Sequence, residues 1–279
     1  MDVTAIILNY SRPDYVKKRS IPYLKNLVNE IIISHGKKEV YFEEEGIVSL
    51  DHSDENEEYG LTLRFLSGLE AKNEYVLIMD DDILPSEECI KVLLHKIRQE
   101  PKRLYGIYGR DIRNGYSTTN SFGEVPIVLT RCLITTREMC DYFMTNFRKY
   151  ENSLIKNSKP YWNGEDILFS LLSIEKYGNL PVSLDLSHTN SWENYLDFSN
   201  SISLSSTHSE YRKKITKDFV EKLDLGGKIK KETNVKFTKY EIPYFVKNSN
   251  LIYPAVILLL IIFYYFGKKY LYRYIKWTA

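Results

Sequence analysis

Hydrophobic positions in the first half of the chain fall in short, largely apolar runs separated by polar stretches of helical spacing. Residues 3–8 and 75–79 are apolar too continuously for a strand with one wet face. They predict strands buried on both sides. Shorter strands are predicted at 30–34 and 47–50, and later at 104–108 and 125–129. Helices are predicted between them. Ser11 is placed to cap one that opens at Arg12-Pro13 and carries Leu24 and Leu27 on its apolar face. Others cover 60–71, 86–98, 138–147, 167–177 and, as a basic helix, 211–223. Residues 51–58 read as an acidic solvated loop, and 183–209, rich in Ser, Asn and aromatics, as a loop able to cover a site. Strands alternating with helices predict an α/β sheet.

The last 30 residues differ. Residues 251–266 are apolar without a break, with Pro254 near the start. Lys268, Lys269, Arg273 and Lys276 follow among Tyr270, Tyr272, Tyr274 and Trp277. Apolar centre, aromatic edge and basic flank predict a single-pass membrane anchor. The run is slightly short of the ~20 residues a spanning helix needs, which snorkelling lysines extend. A helix apolar all round argues against lying in the plane of the membrane; a buried core helix is the other reading. The predicted organisation is a domain over 1–225, a Lys-rich linker over 226–250 opened by Gly226-Gly227, a transmembrane helix over 251–267, and a basic aromatic tail over 268–279.

Composition narrows the setting. With 38 Lys plus Arg against 37 Asp plus Glu, the basic excess of a nucleic-acid binder is missing. Cys89, Cys132 and Cys140 are odd in number, lack metal-ligand spacing, and read as buried thiols of a reducing compartment. Residues 3–8 are too short for a signal peptide and lack its charged lead. The sequon Asn9-Tyr10-Ser11 would place a glycan on the predicted crevice. Together these predict a catalytic domain on the cytoplasmic side of the membrane.

The chemistry concentrates where the 75–79 strand runs into Asp80-Asp81-Asp82. Open α/β sheets bind ligands at the carboxyl ends of their strands. Adjacent carboxylates repel one another, and a hard divalent cation, Mg²⁺ or Mn²⁺, relieves that repulsion. The bland alternative is a solvated acidic turn. Asn9 to Arg12, Arg64, the acidic triplet and Gly164-Glu165-Asp166 are predicted to face one crevice.

In these residues the chain resembles the glycosyltransferases of GT-A fold, and among them the exostosin-like family (family 64). The segments, in order, are Ile6 to Pro13 (first strand and nucleotide turn), Gly60 to Leu69 with Arg64, Val76 to Asp82 (the DXD motif), and Asn163-Gly164-Glu165-Asp166-Ile167 (the later acidic motif). The resemblance covers about residues 3–223. It implies a Rossmann-like nucleotide-diphospho-sugar transferase fold in a single domain. It implies metal-dependent transfer of a xylose, N-acetylglucosamine or glucose-type sugar from a UDP-sugar to a hydroxyl of a glycan or glycoprotein acceptor. By the same resemblance Asp82 holds Mn²⁺ (or Mg²⁺) with the diphosphate, Asp80 meets the ribose or uracil, and Asp81 supports the loop. Asn9 and Arg12 lie at the nucleotide. Arg64 and Arg110 are candidates for the diphosphate or donor sugar, the alternative for Arg110 being a surface salt bridge. Asp166 is the first catalytic candidate, beside the reacting carbon, with a helix N-cap as its alternative; Glu165 is the second. His208 is placed near the diphosphate or metal, and Trp162 is either an aromatic wall or core. The chain departs from the family in carrying Gly164 where a cysteine is usual. Its predicted anchor is C-terminal rather than N-terminal, which leaves a glycosaminoglycan-linker acceptor doubtful. Retaining and inverting stereochemistry both stay open.

Two other classes compete. A haloacid dehalogenase-like phosphatase would use Asp80 as nucleophile and Asp82 as acid/base, but that motif normally opens its fold. A membrane-tethered sugar-nucleotide or glycan-binding module without activity would retain binding alone.

Overall fold

A computed structural model describes residues 2–154, 163–186, 192–194 and 207–236. The strands are β1 (Val3–Asn9), β2 (Glu30–His35), β3 (Val48–Asp51), β4 (Tyr75–Asp80), β5 (Ile83–Pro85), β6 (Tyr105–Gly106), β7 (Gly109–Arg110), β8 (Phe122–Glu124), β9 (Ile127–Val128), β10 (Cys132–Thr136), β11 (Val182–Ser183), β12 (Trp192–Asn194) and β13 (Asn234–Lys236). The helices are α1 (Pro13–Tyr15), continued by a π-helical stretch Val16–Ser20 into α2 (Ile21–Leu24), then α3 (Asn56–Tyr59), α4 (Leu63–Leu69), α5 (Glu87–Gln99), α6 (Arg137–Asn146), α7 (Glu151–Leu154), α8 (Glu165–Tyr177), α9 (His208–Lys222) and α10 (Gly226–Glu232).

The main sheet runs in the order β13-β8-β11-β6-β10-β4-β1-β2-β3. Its β4-β1-β2-β3 half is parallel, with Ile6 opposite both Ile32 and Ile78. Successive side chains of β1 feed opposite faces. Ile6 joins Ile32, Ile78, Phe65, Phe143 and Phe169 on one side; Ala5 and Ile7 join Ile31, Ile33, Leu24, Ile90 and Leu93 on the other. Helices cover both faces, which is why the strand reads as a continuous apolar run rather than an alternation. Phe65 of α4 stacks on Phe169 of α8 with ring centroids 4.2 Å apart, fixing the helix that carries Arg64 against the helix that carries Asp166. Each such ring buried contributes about 1.5–3 kcal/mol.

The chain leaves β1 toward β2 and β3, then returns to the other side of β1 as β4. That reversal opens a crevice at the carboxyl ends of β1 and β4, the position where doubly wound sheets take ligands. Leu8 is in register with Asp80, so the turn after Asn9 and the acidic triplet emerge side by side.

Several sequence-based expectations shift. Strand β10 lies antiparallel between β4 and β6, although its Cys-Leu-Ile-Thr-Thr composition gives no clear strand signal on its own. Of the strand expected over 104–108 only β6 forms, and 125–129 yields β9. Helix α3 occupies the end of the presumed acidic loop. Ser11 does not cap the first helix; Arg12 holds the N-cap position without a side-chain bond, and Pro13 supplies the preset φ. Ser86 does cap α5, its hydroxyl accepting from the Cys89 amide at 3.1 Å. The linker expected from residue 226 begins instead as folded structure. Gly226–Glu232 forms α10, with Ile229 buried, and β13 pairs with β8 through Val235 opposite Gly123. Lys230 and Lys231 are exposed on the solvated side of α10. Among the described residues no helix is long and apolar enough to cross a membrane. The anchor and tail expected over 251–279, and Trp162, lie outside the described residues.

Candidate active site

At the carboxyl ends of β1 and β4, Asp81 organises the turn after β1. Its Oδ2 accepts from the backbone amides of Tyr10 and Ser11 at 3.3 and 3.4 Å, and its Oδ1 accepts from Arg12 Nη1 at 2.6 Å. Burial pushes its carboxyl above the usual range against the pull of Arg12. Asp82 stands between two guanidinium groups. Arg12 Nη2 is 3.9 Å from Oδ2, and Arg131 Nε is 3.6 Å from Oδ1. Burial and the neighbouring Asp80 raise its pKa, with both arginines opposing. Its Oδ1 is buried and accepts no hydrogen bond among the described residues. Arg131 lies over the Tyr108 ring, 5.0 Å from its centroid. Sequence reasoning missed this arginine, which lies just before β10 in a segment without pattern.

Asp80 accepts from Arg64 Nη1 at 2.9 Å. Arg64 is buried; Nη1 also donates to Thr130 Oγ1 at 2.6 Å, Nε donates to the Leu61 carbonyl at 3.2 Å, and Nη2 lies 3.9 Å from Glu165 Oε1. Burial works against its charge, but Asp80 and Glu165 outweigh burial and hold it protonated. Asn9 is fully buried, and its Nδ2 donates to His35 Nδ1 and the Val40 carbonyl, each at 3.1 Å. It clamps the ends of β1 and β2 together. Asn9→Ala is therefore expected to lower stability by about 1–3 kcal/mol, measured by urea unfolding, by removing a buried donor shared by His35 and the Val40 carbonyl.

The opposite wall is the start of α8. Asp166 occupies its first turn and is not the N-cap, a position taken by Gly164. Its Oδ1 accepts from the Ile167 amide at 2.8 Å and its Oδ2 from Arg212 Nη2 at 2.7 Å. Arg212 Nη1 donates to Asn163 Oδ1 at 2.7 Å, and Asn163 Nδ2 donates to His208 Nδ1 at 2.9 Å. His208 thus reaches the cluster through Asn163. Arg212 also lies over the Tyr116 ring at 4.8 Å. The sequence marked α9 only as basic, so this arginine was missed as well. Arg110 is half-buried. Its Nη1 donates to the Gly109 carbonyl and Asn120 Oδ1, and burial lowers its pKa while Tyr116 opposes. Glu165 is buried, and desolvation pushes its carboxyl up to about 7; Asp166 adds to the shift, and Arg64 and Arg212 oppose it.

Gly164 sets this wall. Its φ of +101° is a left-handed conformation that side chains resist, and an added Cβ would sit 2.0 Å from Ile215 Cδ1. The usual cysteine of the resembled family has no room here. Gly164→Ala is expected to cost about 1–3 kcal/mol, seen as a lowered Tm.

A metal centre built wholly from protein is not present among the described residues, where no three His, Cys, Asp or Glu side chains gather. The site fits a hard cation of the Mg²⁺ type differently. Such ions are commonly held by one or two carboxylates plus substrate phosphates, and Asp82 offers a buried oxygen that accepts no hydrogen bond among the described residues.

A mixed α/β sheet thus brings carboxylates and arginines together at its switch point. The model of the glycosyl transferase family 64 domain matches residues 3–239, and the chain belongs to that family. Among solved structures it is similar to S. aureus TarS residues 1–349, at 14% identity and a TM-score of 0.44, over 84% of this chain and 76% of that one. No curated protein matches.

Proposed function

We propose that the protein transfers a xylose, N-acetylglucosamine or glucose-type sugar from a UDP-sugar to a hydroxyl of a glycan or glycoprotein acceptor, with Mn²⁺ or Mg²⁺ at Asp82. The observation that carries this reading is the line Arg12, Asp82, Arg131 at the switch point, which alternates charge as a metal diphosphate requires. When bound, the cation would supply Lewis-acid neutralisation of the leaving diphosphate. Arg12 and Arg131 would orient the phosphate oxygens, for which a planar fork suits. Asp80, the most exposed of the triplet, would take the ribose or uracil. Asp166 would face the reacting carbon, and Glu165, poised near neutrality, is the second candidate for the proton of the acceptor hydroxyl. Family membership displaces the phosphatase reading. Residues 251–267 would anchor the domain at a membrane, with the catalytic domain on the cytoplasmic side.

The test is calorimetric titration of the full chain in detergent with a UDP-sugar panel, with and without Mn²⁺. Metal-dependent binding of one UDP-sugar is expected. A folded protein that binds none of them would overturn the proposal.

A further inference from the structure

One buried guanidinium joins the two walls of the crevice. Arg64 Nη1 lies 2.9 Å from Asp80 Oδ1, and Arg64 Nη2 lies 3.9 Å from Glu165 Oε1. Thr130 stands between, its Oγ1 accepting from Arg64 at 2.6 Å and lying 3.5 Å from Glu165 Oε1. The side chains of Arg64 and Glu165 are 6% and 4% exposed, whereas that of Asp80 is 33% exposed. Of the three, Asp80 is the one open to an entering ligand. The guanidinium is closer to Asp80 than to Glu165, so its charge is held mainly by the donor-side acid.

We infer that Arg64 is a positioning residue that couples donor binding to Glu165: when a donor hydroxyl takes over Asp80, the Arg64 charge turns to Glu165, and Glu165 releases its proton to solvent. The inference rests on the donor reading above. In a buried site this coupling is screened far less than at the surface. Other groups facing Glu165 are Asp166 on its own helix, and Arg212 and Tyr211 from α9. Arg212 is already committed to Asp166 and Asn163. Arg64 is the cation whose partner the donor changes. With Glu165 pushed up to about 7, a modest change in its surroundings moves the proton at neutral pH. The sign follows by linkage. A complex that favours ionised Glu165 binds more tightly as pH rises through 7, and binding below that pH releases a proton.

The experiment is calorimetry on the full chain in detergent with UDP-glucose, UDP-xylose and UDP-N-acetylglucosamine, each with Mn²⁺. Two buffers of different ionisation enthalpy are used at pH 5.5, 6.5 and 8.5. For a Glu165 pKa that falls by about one unit, the expected result is release of about half a proton at pH 6.5 and binding about eightfold tighter at pH 8.5 than at 5.5. In Glu165→Gln both effects vanish while binding persists, and Arg64→Lys, which keeps the charge without the fork, gives a smaller release. Should Glu165→Gln fail to fold, Glu165→Asp, whose carboxyl is intrinsically more acidic, is expected to move the release to lower pH. Binding without proton release, or equal release in Glu165→Gln, would overturn the coupling and leave the donor reading intact. Failure of all three UDP-sugars to bind defeats the donor reading and the coupling with it.

Discussion

Asp82→Asn is expected to abolish Mn²⁺-dependent donor binding while leaving the fold intact. The carboxylate sits where Arg12 approaches one oxygen and Arg131 the other, and its Oδ1 accepts no hydrogen bond among the described residues. An amide of the same shape keeps the packing but removes the negative charge a hard cation needs. Lewis-acid neutralisation supplies several kcal/mol, so turnover is expected to fall by about 10³-fold. Stability should barely change or rise slightly. Burial and Asp80 hold the Asp82 pKa above its ordinary value, which means that the fold disfavours its charged form. The sign is clear: a carboxylate with a raised pKa contributes nothing favourable to stability at neutral pH, so neutralising it costs little. Calorimetry with and without Mn²⁺, paired with a thermal melt, checks both halves. Persistent metal-dependent binding in a well-folded variant would remove Asp82 from the metal site.

Arg212→Ala is expected to be the most damaging substitution to fold and activity together. Arg212 joins Asn163 to Asp166 by two 2.7 Å bonds, and both partners are buried. Truncating one member of a buried pair strands the other charge, at a cost of about 3–5 kcal/mol. The loss falls at the start of α8, where Asp166 is held for its proposed role, so turnover should fall as well, by about 10²–10⁴-fold if the oriented carboxylate is the base. Arg212→Lys separates the two effects. It restores the charge opposite Asp166 but not the fork that also holds Asn163, so stability should recover more than turnover. Urea unfolding and turnover of both variants are the measurements. An alanine variant as stable and active as the parent would show that the bridge carries no function.

Much of the donor side was legible in the sequence, because it rests on local signals. Residues 75–79 announce burial on both faces by being continuously apolar, and the acids that follow must then emerge at a strand end. The resemblance gives Asp81 only a supporting place in its loop; its bonds to Tyr10, Ser11 and Arg12 come from the tertiary structure. The start of α8 was legible to within two residues, although Asp166 lies inside the helix rather than capping it. Asn9, a nucleotide contact by the resemblance, is fully buried, and its Nδ2 donates to His35 and the Val40 carbonyl.

What the sequence alone determined is the alternation of buried strands and covering helices, and the places where carboxylates leave them. Both are set by the nearest neighbours in the chain, through side-chain direction and solvation. Tertiary structure decided which cations face those carboxylates. Arg131 meets Asp82 because β10 pairs antiparallel with β4, and Arg212 meets Asp166 because α9 packs on α8. It also turned the lysine-rich stretch after residue 226 into α10 and an edge strand on β8. Such contacts join residues tens of positions apart. Each is fixed by how whole elements pack, and neither composition nor periodicity of a single segment encodes that.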